Sequence, residues 1–325
     1  AWPIALIAKV VDDCGNAMVT GSVNASFSNG DAPLSLVSLK DGSWSATWQP
    51  RNTQAPSTTV SVSAQIPAQN VQGSIQITGG LRQNVDPPQI SPGAVLSAAS
   101  FAQQGVIAPG SIVSIFGARF ADGINVANTL PLTTELVGTE VILGGSSLPL
   151  FFTSTGQINA IVPISAPVNS QAQMLVRRGT TYTVPEPVTV AAAQPAVFTP
   201  SQSGKGQGYA LVHALSGTET LADSVHPAHA NDVVVIYCAG LGLTNPAVES
   251  GTPSSLTTLS PTVNSVTVSM GGQNATVLFA GLAPGYVGLY QVNTIVPAGI
   301  TPSDQVPLIL SVGGQSSPIV TMSVR

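Results

Sequence analysis

Charged side chains are scarce in this sequence. They make up 7% of 325 residues, against about 25% in an ordinary soluble domain. Nine Lys and Arg against fourteen Asp and Glu leave a net charge of −5. A nucleic-acid partner is excluded, because it needs clustered cations to displace counterions from phosphates. The basic pair Arg177-Arg178 reads as a solvated hairpin tip. Disorder is excluded too: disordered chains combine high charge with low hydrophobicity, and this one is 43% hydrophobic.

Cysteine and histidine are nearly absent, with two and three copies. Cys14 and Cys238 make neither a disulfide framework nor a metal site. They lie in different domains on the partition below, so they read either as two small buried residues or as an inter-subunit disulfide. No apolar run reaches the roughly 18 residues of a membrane helix, so no membrane span is expected. The chain starts at Ala1 with no basic start and apolar core, which reads as a product whose leader has been removed. Long helical periodicity is missing, and with it any βα crossover fold. There is no G-x-S-x-G elbow for a serine nucleophile. The triplet-spaced His226 and His229, near Asp223 and Asp232, can offer zinc two nitrogens. The proline between them argues instead for a plain surface loop. Gly204 to Gly208 lacks the spacer, the Lys-Ser/Thr pair and the helix of a phosphate loop. No catalytic residue and no cofactor are expected, and the chain reads as a non-enzyme.

What the sequence has is alternation and punctuation. Its 26 prolines and 32 glycines are spread along the chain, as suits many short strands joined by turns. Over 1–85, apolar Ala5 to Val11 is followed by a turn at 12–16. Val23, Ala25 and Phe27 then share one strand face, and Asp41-Gly42 is a two-residue hairpin signal. Trp44 and Trp48, four apart, lie on the same face of the return strand. They read as core or as a platform for sugar rings, and a tryptophan on an inner strand of a sandwich favours core. Thr58 to Ile66 and Val71 to Ile77 complete about six strands. Asp12, Asp13, Asp31 and Asp41 read as turn formers, with a shared calcium ion as the alternative.

The start of the chain is apolar: Ala1-Trp2-Pro3-Ile4-Ala5-Leu6-Ile7-Ala8. Either Ile4, Leu6, Ile7 and Val10 belong to the first strand of the first domain, or they form a donated strand that adds to a neighbour's sheet edge.

After a proline-rich linker at 86–92 the chain repeats itself. Gln157-Ile-Asn-Ala-Ile-Val-Pro163 recurs at Gln291-Val-Asn-Thr-Ile-Val-Pro297. Val141-Ile-Leu-Gly-Gly145 recurs at Val268-Ser-Met-Gly-Gly272, and Ile112-Val-Ser-Ile-Phe116 at Val233-Val-Val-Ile-Tyr237. Arg178-Gly179 sits where Gly313-Gly314 does. Matched blocks in one order, with drift confined to loops, indicate a duplicated domain. The expected division is 1–85, linker 86–92, copy 1 at 93–198 and copy 2 at 199–325.

These blocks resemble a known module. PGSIVSIFGARF with GQINAIVP, and NDVVVIYCAGLG with YQVNTIVP, look like the uncharacterised Solibacter-type C-terminal domain of secreted bacterial proteins. The first half of each copy resembles the TIG or IPT immunoglobulin-like fold, and residues 1–85 resemble a bacterial Ig-like domain. The resemblance implies an all-β chain of tandem immunoglobulin-like β-sandwich domains, extracellular or at the cell surface, and implies no activity. One departure is that Cys238 stands opposite Gly117 of the other copy. Between Ser250 and Val324 the only charged side chain is Asp304. A surface of hydroxyls and amides suits a protein whose faces are covered by neighbours. The expected function is therefore a structural subunit of a fibre, sheath or surface assembly. Its partners would be copies of itself (a homopolymer) or other matrix or surface proteins. The alternative is an adhesin stalk or a carbohydrate- or protein-binding module of a larger secreted protein.

Overall fold

The computed structural model describes residues 3–52, 55–67, 70–81, 86–102, 105–214 and 217–325. Every regular element longer than one residue among them is a β-strand, and the chain is all-β, a tandem of immunoglobulin-like sandwiches with three principal cores.

The first sandwich follows from strict alternation. Strands Ile4–Lys9, Ser22–Phe27, Leu34–Ser38, Ser43–Trp48, Thr58–Ile66 and Val71–Gly79 form one curled sheet. Leu34–Ser38 turns the corner: its start pairs with Ser22–Phe27 and its end with Ser43–Trp48. Side chains two apart on a strand point the same way, so Val23, Ala25 and Phe27 meet Trp44 and Trp48 across the curl. Burial of each large apolar side chain there contributes about 1.5–3 kcal/mol. The hairpin at Asp41-Gly42 has three loop residues rather than two, since Leu39 N donates to Ser43 O at 2.8 Å. The Asp41 carboxylate accepts the Ser43 N–H at 2.8 Å. Gly42 takes φ +89°, where a Cβ would lie 2.8 Å from the Ala17 Cβ.

In the second sandwich one sheet orders Asn125–Val126, Leu150–Thr153, Gln157–Ile161, Ile112–Ala118 and Gln89–Ser97. The other orders Glu135–Leu136, Thr139–Leu143, Ser170–Arg178, Glu186–Val190 and Val106–Ile107. Gln89 to Pro92, expected in the linker, are already part of a strand: Gln89 and Ile90 pair with Ala118 and Gly117, and after a register shift Val95 to Ser97 pair with the same strand. Asn84 and Val85 lie outside the described residues. In the third sandwich Gln273–Leu282 serves both sheets, pairing first with Val266–Met270 and then with Tyr290–Ile295. Ala196–Val197, expected to close copy 1, pairs instead with Val233–Ala239 of copy 2. Five residues, 191–195, lead from Glu186–Val190 of the second sandwich to this edge of the third, and periodicity does not record that choice.

The duplication is exact in register. Gln157 stands opposite Phe116 and Gln291 opposite Tyr237; Ile158 faces Ile115 and Val292 faces Ile236. In both copies the Gln side-chain amide donates to the Asn two residues on, at 2.9 and 3.2 Å. The hairpins after Arg178 and Val312 are closed alike. Thr183 Oγ1 accepts the Val176 N–H and Ser317 Oγ the Leu310 N–H, each at 3.0 Å.

Cys238 and Gly117 occupy equivalent places with different neighbours. A Cβ at Gly117 would lie 1.9 Å from Gln89 O and 2.5 Å from Phe120 Cζ, so the incoming strand leaves room for hydrogen alone. In copy 2 the neighbouring strand pairs Val197 with Cys238, whose side chain is fully buried. Gly117→Ala should therefore lower the unfolding free energy by about 2 kcal/mol or more, since overpacking against backbone cannot relax through a flexible side chain. Chemical denaturation checks this; an unchanged midpoint would refute it.

Candidate functional site

The polar clusters that the sequence offers are, in the structure, mostly fasteners of loops. Asp31 is the clearest. Its Oδ2 accepts the Trp48 indole N–H at 2.9 Å and the Asn29 amide at 3.0 Å, and its carboxylate takes the N–H groups of Arg51 and Asn52. Asn29 and Asn52 tie the same corner, each donating its amide to the other's carbonyl. Burial pushes the Asp31 carboxyl up, but the hydrogen bonds from Asn29, Asn52, Trp48 and Arg51 together outweigh it and hold the group below the ordinary carboxylate range.

Trp44 and Trp48 are 5% and 4% exposed. Trp48 stacks on Phe27 with ring centroids 4.2 Å apart, and the Trp44 indole donates to Met18 O at 3.0 Å. Both faces are spent inside the core, so the sugar platform is corrected to core. The donated strand is corrected as well. Ile4–Lys9 pairs antiparallel with Ser43–Trp48 of its own sandwich, Ile4 opposite Trp48 and Leu6 opposite Ala46. Ile4, Leu6 and Val10 pack against the first core while Ile7 points outward. The same-face partners of Ile4 and Leu6 are core residues, which is why the local pairing wins. Trp2 lies outside the described residues.

The acids do not gather as one calcium site. Asp12 Oδ1 accepts the N–H groups of Cys14 and Asn16, and its Oδ2 the Asn16 amide. Side-chain and then backbone hydrogen bonds from Asn16 lower its pKa. Asp12, Asp13 and Cys14 come close together on this exposed turn, whereas Asp31 and Asp41 are bonded within their own corners. His226 and His229 each sit beside their own acid, with Nδ1 3.5 Å from Asp223 and 3.7 Å from Asp232. Asp223 caps that loop through the N–H groups of Val225 and His226. The basic pair is engaged rather than free: Arg177 bridges Glu135 and Glu140, both at 2.7 Å, and Arg178 contacts Asp122. Gly204 packs on the backbone of Ser100, where a Cβ would lie 2.1 Å from its carbonyl oxygen. The loop thus serves contact between sandwiches.

The two cysteines differ completely. Cys14 is exposed and Cys238 buried, and burial drives the Cys238 thiol strongly upward. Of the pair only Cys14 is placed to meet another molecule. Sequence reasoning had no signal for this difference beyond the apolar run around Cys238.

The second and third sandwiches are joined by backbone. Leu132 N donates to Gly251 O at 2.8 Å and Ile164 N to Ser250 Oγ at 2.9 Å. Leu132, Ile161 and Val287 bury a small apolar cluster between them. Facing surfaces of the first and second sandwiches enclose a cleft of about 550 Å³. It mixes aliphatic Leu34, Leu39, Leu143 and Leu175 with hydroxyl and amide groups.

No protein-family model matches the chain, and no curated protein sequence is similar to it. Among solved structures the chain is similar to domains 4–9 of the surface layer protein SbsC, at 15% identity and TM-score 0.24 over 97% of this chain; it spans 41% of that one. It is also similar to the tandem Ig repeats of Dlar, at 10% identity and TM-score 0.18, covering 74% of this chain and 98% of that one. A titin I-band fragment, I67–I69, matches at 7% identity and TM-score 0.19, covering 93% and 88%. The fold of this chain is defined by its own strand pairing.

Two outcomes test these assignments. Asp31→Ala should cost the first sandwich about 1–3 kcal/mol, the range for stranding a buried donor, with a red shift of tryptophan emission. Because the folded pKa is lowered, the contribution of Asp31 is complete above its unfolded value of about 4 and is lost as pH falls through the lower folded value. A pH titration of wild-type stability should show that loss and Asp31→Ala should lack it. In a thiol titration, native protein should react at Cys14 alone, and Cys238 should appear only on unfolding.

Proposed function

We propose that this chain is a non-enzymatic structural protein of the extracellular surface, a subunit that assembles with copies of itself. We assign its last two sandwiches to the Solibacter-type module; the shared register of the two copies supports that reading. The observation that carries the assembly reading is the use of charge. Asp304, alone among side chains from Ser250 to Val324 in being charged, accepts the Ser323 hydroxyl at 2.9 Å and pairs with Arg325. The exterior built from Ser250 to Val324 thus offers neighbours hydroxyls, amides and scattered apolar side chains, while the other charges of the third sandwich lie at Arg325 and between Lys205 and Glu249. We read the chain as a non-enzyme because its acids are engaged as fasteners: Asp12, Asp31, Asp41, Asp223 and Asp232 hold backbone N–H groups, and Asp122, Glu135, Glu140 and Asp304 pair with arginines.

The backbone joint between the second and third sandwiches favours a semi-rigid rod, which also fits the stalk of an adhesin. Light scattering and negative-stain electron microscopy separate the two. An assembling subunit gives particles at multiples of 32.8 kDa or filaments as concentration rises. Isolated rods at high concentration would overturn assembly and leave the stalk.

A further inference from the structure

Sheet edges are where β-proteins meet each other, and soluble ones guard them with charge, proline, bulges, brevity or a covering loop. Among the described residues, most edges of this chain are guarded. Ile4–Lys9 is short, follows Pro3 and ends in Lys9. Gln89–Ser97 carries Pro92 and a register shift. Asn125–Val126, Glu135–Leu136 and Val106–Ile107 have two residues each. Val320–Val324 is covered by a loop: Thr321 N donates to Gly206 O and Ala228 N to Ser323 O.

Val71–Gly79 is different. It is a nine-residue outer strand, VQGSIQITG, without charge or proline, and every residue is exposed. Its inner side pairs without interruption with Thr58–Ile66. Ile75 stands opposite Val62 and Ile77 opposite Val60, so both share the face of two side chains that pack against the first core. Yet they are 61% and 67% exposed, because nothing among the described residues lies over them.

The glycines of this strand have no role in their own fold. Gly73 and Gly79 lack the positive φ that would require glycine, and a Cβ at either would meet nothing within 4 Å. Glycine weakens a strand interior, and where it stands without a local reason it often marks close approach by another backbone. An antiparallel pairing of this strand with itself, about a two-fold axis at Ile75, gives those spaces occupants. Ile75 meets its twin. Ile77 falls opposite Gly73 of the second copy, and Val71 opposite Gly79. On the other face Gln76 meets Ser74 and Thr78 meets Gln72, which can hydrogen-bond. Large stands beside small at the Ile77–Gly73 and Val71–Gly79 pairs, Ile75 meets Ile75 on the axis, and no like charges are opposed.

We infer that Val71–Gly79 is the self-association edge of this protein, pairing antiparallel with the same strand of a second copy to join two six-stranded sheets into one. The inference rests on the assembly reading above and names its contact. A two-fold contact closes on itself, so it supplies the dimer from which larger assembly requires a further surface.

Three variants of the full chain test it, with far-UV dichroism as the control for folding. Gly73→Val adds a strand-favouring side chain into space that its own sandwich leaves open, so stability should hold or rise. It meets Ile77 of the second copy, so association should weaken by about tenfold or more. Ile75→Lys opposes two charges on the axis and should weaken association at least as much. Ile75→Cys, made with Cys14→Ser, should give a reducible dimer on mild oxidation. If wild type assembles while Gly73→Val and Ile75→Lys assemble equally well, the inference fails and the assembly reading stands. If both variants dissociate but Ile75→Cys gives no dimer, a different segment covers this edge and the two-fold pairing is wrong. A wild-type chain that stays monomeric at high concentration overturns both.

Discussion

Antiparallel pairing with every second side chain turned inward is the constraint on which the rest of this structure depends. A strand satisfies its backbone only through its neighbours, and it buries apolar area only on the face that alternation assigns. Each sandwich therefore needs its inward residues in register on both sheets. The cores meet that need with Val, Ile, Leu and a few aromatics: Trp44, Trp48 and Phe27 in the first, Ile115, Ile158 and Val176 in the second, Ile236, Val292 and Leu310 in the third. A slip of one residue would turn all of these outward. The exact register kept by the two copies is the consequence: loops drifted in length after duplication, while the paired strands had no freedom to drift.

The same constraint explains where the copies differ. Gly117 and Cys238 hold equivalent strand positions, but what lies beside them depends on how the preceding segment arrives. In copy 1 that segment is Gln89–Ser97, whose carbonyl at Gln89 crowds Gly117. In copy 2 it is the two-residue strand Ala196–Val197, which leaves space for a thiol. Entry of the chain is set by the joint to the sandwich before it, so the differences between copies concentrate at the joints. Glycine marks them: Gly251 against Pro149, Gly204 against Ser100, and Gly288 against Ile161 all allow close approach between sandwiches.

Local order was legible in the sequence because it is written with period two. The six strands of the first sandwich, the inward set Val23, Ala25 and Phe27, and the matched blocks of the two copies follow from alternation and turn residues alone. That Trp44 and Trp48 share one face was readable, and a sandwich favoured core for them; that both are buried depends on what lies across the curl. Asp31 was readable as a turn former; its bond to Trp48, 17 positions away, requires the tertiary corner. Strand order is equally non-local. That Val71–Gly79 ends the sheet, while Ile4–Lys9 closes onto Ser43–Trp48, depends on which neighbours each strand finds. No residue within either strand states it.

Scarce charge has a second effect beyond a neutral exterior. Asp12, Asp31, Asp223 and Asp304 all have pKa values below the ordinary range, and hydrogen bonds from nearby backbone or side chains supply the lowering in each. These carboxylates act as local clasps for corners and loops, so much of the protein's negative charge is already engaged by donors of its own chain. Those hydrogen bonds keep the carboxylates ionised, but a net charge of −5 over 325 residues leaves little repulsion between copies. Separation of copies then rests on strand geometry: short edges, Pro92, register shifts and covering loops. Geometry of that kind acts edge by edge, whereas net charge acts over the whole surface. A protein that relies on it can leave one edge open without compromising the others, and contact between copies is then confined to the place where the guard was omitted.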